Sequence, residues 1–236
     1  MVLPTASNLA IDATDIARRF GASWVLRGVT LRLSPGEVVG VLGVNGSGKS
    51  TLLRVLATLI KPHAGSARVC GHDLAGAPEE VRSQIGYLAH APGLYDDLTA
   101  RENLTFAAAM LDRDSRDVDA VLDRIGLLPV AAQPVRGFSS GMQRRLAIGR
   151  LMLIRPRVLL LDEPYSNLDS AGLDLMNSLI AEWVNAGAAA LVVLHELGPA
   201  AEILDRTVTI QDGRVATKPT MHADPKADVS LAASGR

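Results

Sequence analysis

The sequence predicts an α/β fold in which a mostly parallel sheet is joined to an antiparallel N-terminal β part and an inserted helical subdomain. The nearly all-apolar run Val38–Leu42 and the segment RVLLLDEP, residues 157–164, which Pro164 ends, are typical of buried strands of a parallel sheet. Segments with helical spacing of apolar residues alternate with such runs, as in α/β proteins. Between about residues 99 and 154, helical patterns follow one another without a strand, which indicates the inserted subdomain.

Apolar patterning predicts further elements on both sides of these strands. An alternating stretch that ends at Leu33 predicts a half-exposed strand, and further strands are predicted at residues 66–71, 85–90, 189–195 and 206–215. Helices are predicted at residues 49–60, 99–128, from 139 or 140 to 154, at 171–186 and at 198–204. Thr99 and Glu102 have the spacing of a capping box. We expect a single domain over residues 1–216, with its helical subdomain at about 91–155, and a disordered polar tail over 217–236.

Composition narrows the class of protein. Hydrophobic residues make up 48% of the 236 residues and charged residues 21%, which is sufficient for a substantial core. The net charge of −1 gives no electrostatic reason to expect a nucleic-acid partner. Cys70 is the only cysteine, so no internal disulfide can form. A helix that spans a bilayer needs about 18 to 20 apolar residues, and no run in the sequence approaches that length. The N-terminus also lacks a signal-peptide pattern. If the protein works at a membrane, we therefore expect another chain to supply the membrane part.

A glycine-rich segment between a predicted buried strand and a predicted helix has the spacing of a phosphate-binding loop. Residues 43–51 read GVNGSGKST and match the pattern G-x-x-x-x-G-K-S/T in full. Glycines let backbone N–H groups turn toward phosphate oxygens, and the helix start adds partial positive charge. We expect Lys49 to reach the β- and γ-phosphates and Ser50 to bind Mg²⁺. The nucleotide-binding residues predicted here are Gly43, Asn45, Gly46, Ser47, Gly48, Lys49, Ser50 and Thr51.

Two acidic residues stand at the end of a predicted buried strand. Asp162 and Glu163 follow the apolar run VLLL. Ligands of open α/β sheets bind at the carboxyl ends of the strands, so both carboxylates are expected beside the phosphates. Asp162 is predicted to hold Mg²⁺, directly or through water. Adjacent residues at a strand end point in different directions, so the side chain of Glu163 can face the γ-phosphate and polarise the attacking water.

The phosphate loop is shared by kinases, GTPases, helicases and transport ATPases, and a second segment narrows the class. A GTPase would usually carry an N-K-x-D motif, which the sequence lacks. The segment FSSGMQRRLAIGRLM, which begins at Phe138, resembles the signature stretch L-S-G-G-Q of ABC-type ATPases. Ser139 and Gly141 match, whereas Phe138, Ser140 and Met142 replace Leu, Gly and Gln. A Ser hydroxyl at a helix start can both cap the helix and donate to phosphate.

The resemblance to ABC ATPases extends over about residues 8–215 and implies roles for further residues. Phe20 matches the aromatic residue that stacks on adenine, and His195 matches the switch histidine that contacts the γ-phosphate. The resemblance implies an ATPase, and the catalytic residues that it implies are Glu163, His195 and Lys49. In the family, the signature helix faces the ATP held by the opposite subunit. A head-to-tail homodimer with two ATP molecules is therefore expected. Contacts across its interface are expected from Ser139, Ser140 and Gly141, and from Asp169 of the segment SNLD, residues 166–169, which resembles the D-loop of the family.

Within this family we expect the energising subunit of a transporter, bound at the cytoplasmic face of the cell membrane. The resemblance implies an integral membrane partner whose cytoplasmic helix docks near residues 86–105. A soluble ABC ATPase that acts on nucleic acid or ribosomes is an alternative, although such relatives usually carry two ATPase units, zinc motifs or basic extensions. A degenerate ATP-binding regulator is a third possibility, against which the complete set Lys49, Asp162, Glu163 and His195 argues.

His90 stands where ABC ATPases usually carry a glutamine. The family glutamine approaches Mg²⁺ and the attacking water. A neutral imidazole offers one donor and one acceptor and can replace an amide, so His90 is predicted to contact the nucleotide and to join Ser50 and Asp162 as a metal ligand. Together with the segment GLYDDLTARENL, His90 resembles the haem-exporter ATPases of cytochrome c maturation. The alternative is the ATPase of a drug, antibiotic or lipid exporter.

Overall fold

A six-stranded sheet forms the centre of the structure, a computed structural model that describes residues 9–111 and 115–216. Its strands are β3 (Val38–Leu42), β6 (Ile85–Leu88), β7 (Val158–Asp162), β8 (Ala189–Val193), β9 (Arg206–Gln211) and β10 (Arg214–Val215). They lie in the order β10-β9-β3-β8-β7-β6. All neighbouring pairs are parallel except β9 and β10. The predicted mostly parallel sheet is therefore present, whereas the tail predicted as disordered, residues 217–236, lies outside the described residues.

A second sheet contains the N-terminal strands and is antiparallel throughout, as predicted. It comprises β1 (Ile11–Phe20), β2 (Ser23–Leu33), β4 (Ala64–Val69) and β5 (His72–Asp73), in the order β2-β1-β4-β5. Strands β1 and β2 form a hairpin that turns at Gly21, whose φ of +56° suits glycine. The sheet buries one face against the central core through residues such as Ile16, Leu26 and Val69. The same hairpin carries Phe20 to the rim of a pocket that the phosphate-binding motif also lines.

The helices lie on both sides of the central sheet or in the inserted subdomain. They are α1 (Lys49–Leu56), α2 (Pro78–Gln84), α3 (Ala100–Met110), α4 (Val118–Arg124), α5 (Ser140–Met152) and α6 (Ser170–Asn185). Thr99 and Glu102 form the predicted capping box at the start of α3, with hydrogen bonds in both directions. Helices α3, α4 and α5 share a core that includes Leu104, Leu122 and Leu146. The neighbouring residues Ala147, Ile148 and Leu151 of α5 pack in the core of the central sheet, so α5 joins the two cores.

Two helical predictions differ from the structure. The region predicted as one helix over residues 99–128 contains two, because residues 112–117 carry no apolar side chain that could continue a buried face. The helix predicted over residues 198–204 is a single 3₁₀ turn, Gly198–Ala200. Gly198 has a φ of +39°, which is outside the α-helical region, and Pro199 lacks an N–H group for a helical hydrogen bond.

Candidate active site

The loop between β3 and α1 has the backbone of a phosphate-binding loop. Gly43 has a φ of +147°, and a Cβ atom there would lie 2.3 Å from the backbone oxygen of Ile210. Gly48 has a φ of +109°, and a Cβ atom there would lie 2.7 Å from Cδ2 of Leu26. Only glycine satisfies both positions. Because Gly48 immediately precedes α1, the unpaired N–H groups of the helix start face the loop.

Lys49 places a positive charge inside this loop. Its Nζ donates hydrogen bonds to the backbone oxygens of Gly43 at 2.6 Å and Val44 at 3.1 Å, and the residue is only 5% exposed. The nearby hydroxyl of Ser47 is buried and has no hydrogen-bond partner among the described residues. A buried ammonium beside an unpaired hydroxyl and free backbone donors is a site for an anion with several oxygens.

A pocket of about 320 Å³ joins the phosphate loop to the aromatic ring predicted to stack on adenine. Its lining residues are Phe20, Val25, Asn45, Gly46, Gly48, Lys49, Ser50, Thr51 and Glu163. Phe20 is 48% exposed, so it is not part of the core, and its ring is available to a planar ligand. The guanidinium of Arg18 lies 4.8 Å from the ring centroid of Phe20 and stabilises the ring by a cation–π contact. The fold therefore gathers the predicted base-binding and phosphate-binding residues into one cleft.

Ser50 and Asp162 meet at the carboxyl end of β7. The hydroxyl of Ser50 donates to Oδ1 of Asp162 at 2.9 Å, while Oδ2 of Asp162 is buried without a partner. Burial raises the pKa of Asp162, and the hydrogen bond from Ser50 partly opposes that shift. A hard cation with oxygen ligands would satisfy the unpaired Oδ2, so this donor set fits Mg²⁺. Within residues 9–111 and 115–216 no cluster of three His, Cys, Asp or Glu side chains could hold a metal, so phosphate oxygens and water would have to complete the coordination.

Glu163 lies between two histidines. Its Oε1 is 2.7 Å from Nε2 of His195, and its Oε2 is 3.2 Å from Nδ1 of His90. The sheet order explains this arrangement: β7 lies between β6 and β8, His90 follows β6 by two residues, and His195 follows β8 by two residues. The backbone of Glu163 has a φ of +51°, a strained conformation for a non-glycine residue that turns its side chain into the cleft.

The predicted signature residues lie at the start of α5. The hydroxyl of Ser139 caps this helix by accepting from the N–H of Met142 at 3.2 Å. Gly141 lies close to the D-loop, where an added Cβ atom would be 2.8 Å from the backbone oxygen of Asn167. Asp169 caps α6 through the N–H of Gly172 and pairs with Arg145 of α5. Within one chain, these residues and Ser140 are not in the lining of the nucleotide pocket described above.

Sequence reasoning missed Arg144, the residue that contacts more of the site's backbone than any predicted residue in the described part of the chain. Its buried guanidinium donates to carbonyl oxygens on both sides of the cleft. The only signal in the sequence is a pair of arginines, Arg144 and Arg145, in a helix that is otherwise apolar on one face. Periodicity cannot show that the first of the pair points inward with its charge.

The sequence model of the family described as "ABC transporter" matches residues 26–166. The chain belongs to the ABC transporter family. It is the ATP-binding and ATP-hydrolysing subunit of such a transporter, which confirms the family and the enzyme class predicted from its motifs. The matched segment contains the phosphate loop, the signature stretch and the pair Asp162 and Glu163.

Its relatives include ATP-binding proteins named for two different processes, cytochrome c biogenesis and daunorubicin resistance. The cytochrome c biogenesis ATP-binding export protein CcmA 2 of Cupriavidus metallidurans is 39% identical over 82% of this chain and 93% of that protein. The daunorubicin resistance ATP-binding protein DrrA3 of Streptomyces coeruleorubidus is 35% identical over 91% of this chain and 69% of that protein. A solved ATP-binding subunit of an ABC transporter, 30% identical, superposes with a TM-score of 0.81 over 87% of this chain and 88% of that one. The predicted fold class is thereby confirmed.

Proposed function

We propose that this subunit drives export of haem for cytochrome c maturation, at the cytoplasmic face of the cell membrane and together with an integral membrane subunit. The observation that carries the proposal is the similarity to CcmA 2. The chain is 39% identical to CcmA 2 and 35% identical to DrrA3, and the match covers 93% of CcmA 2. His90, which occupies the usual glutamine position and contacts Glu163, agrees with the same branch. In residues 9–111 and 115–216 none of the helices has the length and apolarity to cross a bilayer.

In the proposed reaction, the chain binds ATP between Phe20 and the phosphate loop. Phe20 stacks on adenine, while the loop N–H groups and Lys49 bind the phosphate oxygens. Glu163 accepts a proton from water as the water attacks the γ-phosphate in line with the leaving oxygen. His195, 2.7 Å from Glu163, turns its ring N–H toward the γ-phosphate when nucleotide fills the cleft. The residues thus act by positioning and charge stabilisation.

Mg²⁺ is the proposed cofactor, held by the Ser50 hydroxyl and the Asp162 carboxylate. When bound, it neutralises charge on the β- and γ-phosphates. The hydrogen bond of 2.9 Å between Ser50 and Asp162 supports this assignment, because it keeps the two oxygens close together. His90 stays a predicted further ligand, and its ring faces Glu163 in this structure.

The nucleotide cleft is completed by a second copy of the chain in this proposal. Ser139, Ser140 and Gly141 are exposed or half-buried at the free end of α5, where the N-terminal N–H groups favour an anion. A head-to-tail homodimer would place this helix end against the γ-phosphate bound by the partner. Asp169 would then lie at the interface, while it continues to cap its own α6.

His90 is expected to accept replacement by glutamine better than replacement by alanine. His90→Gln keeps a donor and an acceptor beside Glu163 and should retain ATP binding and at least half of the ATPase activity. His90→Ala removes the contact at 3.2 Å and should lower kcat about 10-fold, or abolish its response to the membrane subunit. Steady-state ATPase assays with and without the partner measure both effects. An alanine variant with unchanged hydrolysis and unchanged partner response would contradict the role.

An apolar groove lined in part by Ile85 and Tyr87 of β6 is the proposed docking site for a cytoplasmic helix of the membrane subunit. The groove, about 490 Å³, and an adjoining pocket of about 260 Å³ share Leu111 and Ile154. Side chains in the lining of these pockets include Leu59, Tyr87, Tyr95, Phe106, Met110 and Leu111. Met110 is 73% exposed, and such a contiguous apolar patch is typical of an interaction surface. Gly93 lines the smaller pocket three residues after His90, so a helix that docks there can displace the segment that carries His90 beside Glu163.

Met110→Ser is expected to reduce the amount of membrane subunit that co-purifies with the chain about 10-fold, because it removes a large, exposed apolar side chain from the lining of the adjoining pocket. The measurement is recovery of the hydrophobic partner from detergent extracts on the tagged full-length chain. Leu128→Ser is the matched control, since Leu128 is also exposed but does not line either pocket. Equal recovery with both variants would remove the groove as the docking site.

Deletion of the gene in the source organism tests which substrate the transporter exports. Loss of haem-stained c-type cytochromes, restored by the wild-type chain and not by a Glu163→Gln chain, is the expected result. Normal cytochromes together with raised sensitivity to daunorubicin would instead favour drug export, in line with the daunorubicin resistance for which the DrrA3 relative is named. If the chain co-purified with ribosomes or nucleic acid and with no membrane protein, that result would contradict both haem export and drug export.

A further inference from the structure

The guanidinium of Arg144 links the two segments that carry His90 and Glu163. Its nitrogens donate to Ala89 at 2.7 Å, Asp162 at 2.9 Å and Glu163 at 2.5 Å, in each case to the backbone oxygen. The backbone oxygens of Pro164 and His90 lie 3.3 and 3.5 Å away. One planar side chain therefore contacts the backbone after β6 and the backbone at the end of β7.

This contact is unusual because the charge is buried. Arg144 is 2% exposed, and its side chain makes no direct ion pair with a carboxylate among the described residues. Burial lowers the pKa of Arg144, while the nearby charges of Asp162 and Glu163 raise it. Backbone dipoles replace the water that the guanidinium has lost, and its rigid fork of five N–H groups allows one residue to serve two segments. A lysine offers three donors from a single point and cannot reach the same set.

We propose that Arg144 is a positioning residue that sets His90 against Glu163 for hydrolysis. It donates to the backbone oxygens of Glu163 and of Ala89, the neighbour of His90, and the side chains of His90 and Glu163 meet at 3.2 Å in the cleft. The strained φ of +51° at Glu163 is stabilised on the carbonyl side by the 2.5 Å bond from Arg144. The proposal rests on the proposed function, in which Glu163 accepts the proton of water. Arg144 itself contacts neither ATP nor water in this role.

Arg150 of the same helix offers a matched comparison. Its guanidinium donates to the backbone oxygens of Pro92 at 2.9 Å and of Gly93, two and three residues beyond His90. Burial lowers the pKa of Arg150 as it does that of Arg144. The two side chains therefore share a helix, a charge and carbonyl partners, but only Arg144 reaches the segment of Glu163. A role that is merely structural would make their loss equivalent.

Arg144→Lys and Arg150→Lys, in the full-length chain, test the proposal. We expect Arg144→Lys to lower kcat for ATP roughly 10- to 100-fold, since displacement of reacting groups by about 1 Å costs that much, with KM within about threefold of wild type. Arg150→Lys should lower kcat less than about threefold at a similar loss of thermal stability. The ring ¹⁵N signals of His90 should move in Arg144→Lys, while those of His63 stay. Equal losses of kcat in the two variants, or unmoved His90 signals, would overturn the positioning role.

Two controls separate this proposal from the function on which it rests. If Glu163→Gln hydrolyses ATP normally, the assigned role of Glu163 is wrong, and the His90 signals alone decide whether Arg144 positions it. If Arg144→Lys does not fold, the Arg144 side-chain N–H signals of the wild-type protein decide. Movement of these signals together with those of His90 when ATP is added supports the proposal. Movement of the His90 signals alone overturns it.

Discussion

Glu163→Gln is expected to reduce ATP hydrolysis at least about 100-fold, while ATP still binds. The glutamine side chain has the same shape but cannot take up a proton at neutral pH. It also disturbs one of the two histidine contacts, because one carboxylate oxygen becomes an NH₂ group that faces a ring nitrogen at 2.7 or 3.2 Å. Phosphate release and ATP affinity, measured on the same preparation, separate loss of catalysis from loss of binding.

The control for this variant is Glu80→Gln, which makes the same chemical change on the exposed face of α2. We expect it to hydrolyse ATP at the wild-type rate. A second expectation follows from the proposed dimer: with hydrolysis blocked, ATP should hold two Glu163→Gln chains together, so the apparent mass on gel filtration should double. Rapid hydrolysis by Glu163→Gln would mean that another group activates the water.

The strands and the phosphate-binding residues could be predicted from sequence because their causes are local. Val38–Leu42 is buried on both faces, so it is apolar throughout, and the glycines of the loop are required by φ values that other residues avoid. Asp162 and Glu163 could be placed at the site because ligands bind where parallel strands end. These inferences need only the neighbouring residues in the chain.

The contacts that complete the site depend on which strands are neighbours, and no local pattern contains that information. His90 and His195 are 105 residues apart (195 − 90) and meet Glu163 only because β6 and β8 flank β7. The position of Arg144 has the same origin, since its partners are 54 to 55 residues before it and 18 to 20 after it. The break between α3 and α4 was not predicted for a different reason. The apolar residues on both sides of the short polar run have helical spacing, so the two helices have the pattern of one.

Lys49→Ala is expected to weaken ATP binding roughly 10- to 100-fold and to abolish measurable hydrolysis at cellular ATP concentrations. A charge-assisted hydrogen bond contributes about 1.5–3 kcal/mol, and every 1.4 kcal/mol is a factor of ten in affinity. The ammonium is already inside the loop, bound to Gly43 and Val44 at 2.6 and 3.1 Å, so it can exchange these neutral acceptors for phosphate oxygens without a large movement. Alanine leaves both the phosphates and the loop carbonyls without that donor.

The shift of the thermal unfolding midpoint on addition of ATP measures this loss directly, because a ligand stabilises the folded state according to its affinity. ATP should raise the midpoint of the wild-type chain and barely change that of Lys49→Ala. Lys61→Ala, at an exposed position, should respond as wild type does. Lys49→Arg separates charge from shape: the larger guanidinium does not fit a position that is 5% exposed, so it too should bind ATP weakly. Full ATP stabilisation of Lys49→Ala would contradict the assignment of the loop, because no other lysine lies in the pocket lining among the described residues.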